Sequence, residues 1–225
     1  MTRRLPALAG LPPLVAYGAE KAPATGSLDS LPWVPVHPGE LLRLSDEALD
    51  LPAPAIGQEN TPTDMRLAEH LKRLAGGWNR SAGLFIDGYF AHLRSIIASH
   101  REEIGERLDG MAGLFVPEDV LYSAPLPLPR AVLPLEAGGH VPVDMFLWLG
   151  ETAVAVLFAP SALLPAAERR RQEQLAAAGI TVRMITGADL ARPGIFAELL
   201  GERGNGFWRD ELLPIAPGAP RLPSF

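Results

Sequence analysis

The stretch His140–Asp189, HVPVDMFLWLGETAVAVLFAPSALLPAAERRRQEQLAAAGITVRMITGAD, decides the fold. Val141–Leu149 is rich in strand formers, Gly150-Glu151 makes a turn, and Thr152–Phe158 is apolar throughout, so the two runs predict a hairpin whose second strand is buried on both faces. Ser161–Ala178 then reads as a helix, with Pro165 in its opening, Glu168-Arg169-Arg170-Arg171-Gln172-Glu173 in its middle and Gly179 as its stop. Ile180–Ile185 returns as a strand. A strand, a helix and a strand with short joins form a crossover, which sets the last strand parallel to the second. One carboxylate, Asp144, lies inside the first strand.

Upstream, Thr61-Pro62-Thr63-Asp64 carries a helix-start signal, with Thr61 as cap and Pro62 at the first helical position, and Gly76-Gly77 ends that helix. A longer helix is predicted from about Ser81 to Leu108. Its stripe of Ile86, Phe90, Leu93 and Ile97 repeats at three- and four-residue steps, and its other face carries Arg94, His100, Arg101 and Glu103. Leu126–Leu133 holds Pro127 and Pro129, which predicts an edge strand or an extended connector. The final helical region places Ile195, Phe196, Leu199 and Leu200 on an apolar side. Gly201–Gly206 reads as a loop between helices rather than a phosphate cradle, because no strand precedes it.

From Leu5 to Gln58 the chain carries Pro6, Pro12, Pro13, Pro23, Pro32, Pro35, Pro38, Pro52 and Pro54, which blocks long helices. Residues 1–58 therefore read as a Pro-rich arm, partly docked through Trp33, Val34, Val36, Leu41 and Leu42. Residues 59–213 form a single α/β domain with N-terminal helices, and 214–225 a Pro-rich tail. The fold class is α/β, with a small mixed sheet flanked by helices.

Composition narrows the chemistry. In 225 residues there is no cysteine, which excludes disulfides, cysteine-held metals and thiol catalysis and fits a cytoplasmic protein. Hydrophobic residues make up 48%, enough for one sizeable core, and no run approaches the roughly 18 apolar residues of a membrane span. A net charge of -6 argues against wholesale wrapping of nucleic acid, while leaving room for a local basic face. His37, His70, His92, His100 and His140 show no zinc spacing, so no metal ligands are assigned among them. Nucleophile elbows, Walker loops and dinucleotide fingerprints are lacking.

Val143-Asp144-Met145-Phe146, the basic helix Glu168–Leu175 and the break Gly179-Ile180-Thr181-Val182-Arg183 together resemble the PD-(D/E)XK nuclease-like superfamily, in particular its very-short-patch-repair-like endonuclease branch. The resemblance covers Pro127–Leu190 and implies a restriction-endonuclease-like core. It also implies a second carboxylate at Ala155 or Val156 and a lysine near Leu157 or Phe158, where this chain has neither. Phosphodiester hydrolysis needs clustered carboxylates to hold Mg²⁺ and activate a water. The expectation is thus a degenerate site in a pseudo-nuclease: a non-catalytic scaffold, without cofactor, that binds a protein partner or nucleic acid in DNA processing or defence. Two alternatives stay open. An active Mg²⁺-dependent nuclease would use Asp144 with Glu136, Glu151 or Asp87 as migrated carboxylates. A structural subunit would bury the arm and Phe207-Trp208 against another chain. Arg169, Arg170 and Arg171 are the candidate nucleic-acid contacts, weighed against an ordinary solvated helix face.

Overall fold

The computed structural model describes residues 14–18, 31–46, 51, 61–77, 79–109, 115–135, 139–159 and 166–210. In chain order these form β1 (Leu14–Ala16), β2 (Trp33–Pro35), α1 (Thr63–Leu74), α2 (Arg80–Ser99), α3 (Arg101–Leu108), a 3₁₀ turn (Pro117–Ser123), β3 (Leu128–Pro134), β4 (His140–Trp148), β5 (Ala153–Phe158), α4 (Ala166–Ala177), β6 (Thr181–Ile185), α5 (Gly187–Leu190) and α6 (Ile195–Asn205). The strands make one six-stranded mixed sheet in the order β2-β1-β3-β4-β5-β6. Helices flank it, as the α/β pattern predicts.

The hairpin and the crossover form as the sequence indicates. β5 pairs antiparallel with β4, from Met145 opposite Val156 to Trp148 opposite Ala153, and parallel with β6, from Val154 opposite Thr181 to Phe158 opposite Ile185. Its first five residues are buried, which is why both faces of that run are apolar. Gly150 turns the hairpin with a φ of 86°, a conformation that costs a side chain but not glycine.

Four expectations need correction. Leu128–Pro134 is an interior strand, between β1 and β4, not an edge. The carbonyl of Pro129 accepts the amide of Gly18, so its hydrogen-free nitrogen also faces β1, whose ladder with β3 is the single pair Ala16–Val132; little is lost there. The long helix is two: His100, at φ -114°, separates α2 from α3, although the apolar stripe continues through Ile104. Helix α1 starts at Thr63 with Pro62 at the cap and no side-chain capping bond, so Thr61 does not cap it. Further on, the loop expected over Gly201–Gly206 shrinks to a break at Gly201, whose φ of 58° and ψ of -168° separate two helical runs, and residues 202–205 are helical.

Most buried apolar residues form one cluster, and Ala16 with Val132 forms a small second one. Helix α2 buries Phe85, Ile86, Tyr89, Phe90, Leu93 and Ile97 against the sheet, and the Tyr89 hydroxyl donates to the carbonyl of Pro125 at 2.5 Å. Val34, Val36, Leu41 and Leu42 of the arm are buried in the same cluster. Leu41 bridges to Leu149 and Arg43 to Pro125, so this part of the arm threads between the ends of β4 and the turn that leads to β3. Among the described residues, no helix is long and apolar enough to cross a membrane. Glu136, Pro165 and the tail 214–225 lie outside the described residues.

Candidate functional site

The β4–β5 ladder stops at Met145–Val156, and beyond it the two strands part. Strand separation leaves backbone groups without partners, and buried ones must find others. Here side chains supply them. The carboxylate of Asp144 accepts the amide of Phe158 at 2.8 Å, and Nε of Arg171 donates to the carbonyl of Pro142 at 2.6 Å.

Register settles what surrounds Asp144. Because Met145 faces Val156, Asp144 lies at the level of Leu157, and Asp144, Ala155 and Leu157 share one face of the sheet. Val156 and Phe158 point to the other face, where the ring of Phe158 meets Phe85 of α2 edge-on, 5.8 Å between centroids. The places expected for a second carboxylate and a lysine on the Asp144 side are therefore Ala155 and Leu157. Both are apolar and fully buried.

Helix α4 covers this face and brings Arg171 and Glu168. Arg171 donates to Glu168 at 3.2 Å and stands 3.9 Å from Asp144, an ion-pair contact rather than a hydrogen bond. Arg130 on β3 completes the group. It lies opposite Asp144, between the pairs Pro129–Met145 and Ala131–Val143, and is the one non-glycine residue among those described with a left-handed φ, 49°. That conformation costs about 1 to 2 kcal/mol and sits where the sheet begins to open. Burial pushes the Asp144 carboxyl above its ordinary value, and Glu168 adds to the rise. The Phe158 amide, Arg171 and Arg130 pull it back only in part.

The other candidate carboxylates are elsewhere. Glu151 is exposed in the hairpin turn, beyond the far end of β4 and roughly 16 Å or more along the strand from Asp144. Asp87 lies on the exposed side of α2, paired with Lys72 at 2.6 Å, and α2 packs against the opposite face of the sheet. Among the described residues no group of three or more His, Asp or Glu is placed to hold a metal ion. The described donors do not fit Mg²⁺, which takes an oxygen-rich octahedral shell. Of the two carboxylates present, Asp144 is engaged by an amide and an arginine, and Glu168 by the same arginine.

The arginine run divides. Arg169 and Arg170 are exposed on α4, while Arg171 turns inward. The histidines are scattered. His92 pairs with Asn205 at 2.8 Å, His100 stacks on Trp208 at 4.3 Å, and His37 and His140 are exposed. Reading by residue type overlooked Glu168 and Arg130 as neighbours of Asp144. A signal for Glu168 was present: Glu168, Arg171, Gln172 and Leu175 fall at i, i+3, i+4 and i+7, one helix face.

Comparison of this chain with protein-family models, with curated proteins and with solved structures finds no match in any of the three.

Proposed function

We propose that the protein is a non-catalytic, nuclease-like scaffold that acts by binding, in the cytoplasm, within the DNA-processing or defence setting that its resemblance implies. One observation carries this reading. The carboxylate of Asp144 completes the parted β4–β5 ladder by accepting the Phe158 amide, with buried Ala155 and Leu157 as its neighbours on that face. Both contacts fall on Oδ2, and the other carboxylate of the group, Glu168, is itself paired with Arg171, so the described residues of this face lack the oxygen cluster that holds Mg²⁺ and activates a water.

The ligand is a nucleic acid or a protein, and salt separates the two. Contacts from Arg169 and Arg170 to phosphates release counterions and weaken steeply with salt, whereas apolar docking does not. Retention of DNA or RNA oligonucleotides at low salt, lost in about 0.3 M salt, roughly twice physiological ionic strength, and in Arg169→Glu/Arg170→Glu, supports a nucleic-acid scaffold. Absence of retention together with salt-insensitive capture of a protein supports the structural-subunit form. Metal-dependent cleavage of any of these substrates contradicts both and supports the active nuclease with migrated carboxylates.

A further inference from the structure

Helices that cover a sheet are normally held by an apolar stripe, and α4 is not. Over its twelve residues only Leu175 is buried. The side turned to the sheet reads Glu168, Arg171, Gln172, Leu175, polar for its first two turns, while Arg169, Arg170, Glu173 and Gln174 face solvent.

The two ends of α4 are therefore held differently. At the C-terminal end Leu175 is buried with Ile180. The turn closes through Ile180 N–H to the Leu175 carbonyl at 3.0 Å, around Gly179 at φ 77°. Towards the N-terminal end, polar groups reach the sheet: Arg171 touches Pro142 and Asp144, and Gln172 Nε2 lies 3.0 Å from the sulfur of Met184. The Arg171 guanidinium thus joins β4 to α4 at the point where the strands part.

We propose that α4 is a flap, hinged at Leu175–Ile180 and latched by Arg171, that opens the β4–β5 gap as a local unit while the rest of the fold stays intact. Opening separates Arg171 from Asp144 and Pro142 and uncovers the Asp144 face of β5. The proposal rests on packing alone and does not depend on what the protein binds. Proteins open locally in units whose stability lies below that of the whole, and elements with few buried apolar contacts open first.

Hydrogen–deuterium exchange of the full chain, read peptide by peptide, tests it. In Arg171→Ala, and in Arg171→Met, which keeps the apolar stem and removes the guanidinium, the amides of 166–177 should exchange at least tenfold faster. Those of 80–99 in α2 should change less than threefold. Wild-type protein supplies a second measure, independent of whether the variants fold: the exchange of α4 should depend less on added urea than that of α2, because a local opening exposes less surface. Unchanged α4 exchange in both variants overturns the proposal. So does equal acceleration of α4 and α2, or equal urea dependence of the two in the wild type.

Discussion

Gly88 of α2 and Phe196 of α6 meet so closely that a Cβ on Gly88 would stand 2.6 Å from Cε2 of the ring. The contact lets α6 lie directly on α2. Phe196 has nowhere to retreat, since its ring packs against Phe85 at 5.3 Å, Tyr89 at 6.1 Å and His92 at 6.2 Å between centroids. Two effects oppose each other in Gly88→Ala. Helix propensity favours alanine by about 1 kcal/mol, and overpacking costs about 1 to 3 kcal/mol. With two ring carbons inside 3 Å, the clash should win, and urea unfolding should show a net loss of about 1 to 2 kcal/mol. A gain in stability would mean that α6 is held loosely.

Phe90 is fully buried and stands edge-on to Tyr89 at 6.1 Å. Phe90→Ala should cost about 3 to 5 kcal/mol through lost transfer energy and the cavity left behind. Equilibrium unfolding in urea measures it, and a near-neutral result would show that the α2 face does not seat on the sheet as described.

Asp210 ties the arm to the end of the fold. It receives Arg43 at 2.7 Å and Arg203 at 2.7 Å, and both Asp210 and Arg43 are nearly buried. Burial pushes its carboxyl up, but the hydrogen bonds from Arg203 and Arg43 together outweigh burial and hold it below its ordinary value. A lowered carboxyl contributes stability that is complete above its unfolded value, near pH 4, and is lost as pH falls through the folded one. Asp210→Asn should therefore cost about 2 to 4 kcal/mol at pH 7, leaving the Arg43 charge without its counter-ion, and distinctly less at pH 3. Equal costs at the two pH values would remove the ion pair from the account.

Asp144 has the opposite sign. Burial raises its carboxyl, so the folded state favours the protonated form, and this group's contribution declines as pH rises from about 4 through the folded value. Relative to wild type, Asp144→Asn should fare better at pH 7 than at pH 3, because its amide oxygen still accepts from Phe158 and no charge needs desolvating. Thermal unfolding at the two pH values checks this. A variant that fares worse at pH 7 would mean that the Arg171 contact, not burial, dominates.

These relationships were unevenly legible in the chain. The run Thr152–Phe158 announces a buried central strand because an apolar stretch of that length between turn signals has few other uses, and the Ser161–Ile185 crossover follows from chirality and loop length. The interior position of β3 was hidden, because Pro127 and Pro129 signal an edge unless it is known which side of the strand their missing donors face. The break at His100 was hidden too, since the apolar stripe runs on to Ile104. Asp144 stood out by type, but its role depends on where a ladder ends. It depends also on an arginine from α4 that sequence spacing treats as surface. Arg130 gave no sign at all, because a left-handed residue in a strand is a product of the register around it.

Turnover decides whether Asp144 only completes the sheet, as proposed, or also serves catalysis. Purified wild-type protein and Asp144→Ala should be incubated with Mg²⁺ or Mn²⁺ and single- and double-stranded DNA and RNA. No cleavage above the metal-only background is expected for either protein, with oligonucleotide binding, where present, nearly the same in both. Metal-dependent cleavage by the wild type that disappears in Asp144→Ala would make Asp144 a catalytic residue and overturn the scaffold reading.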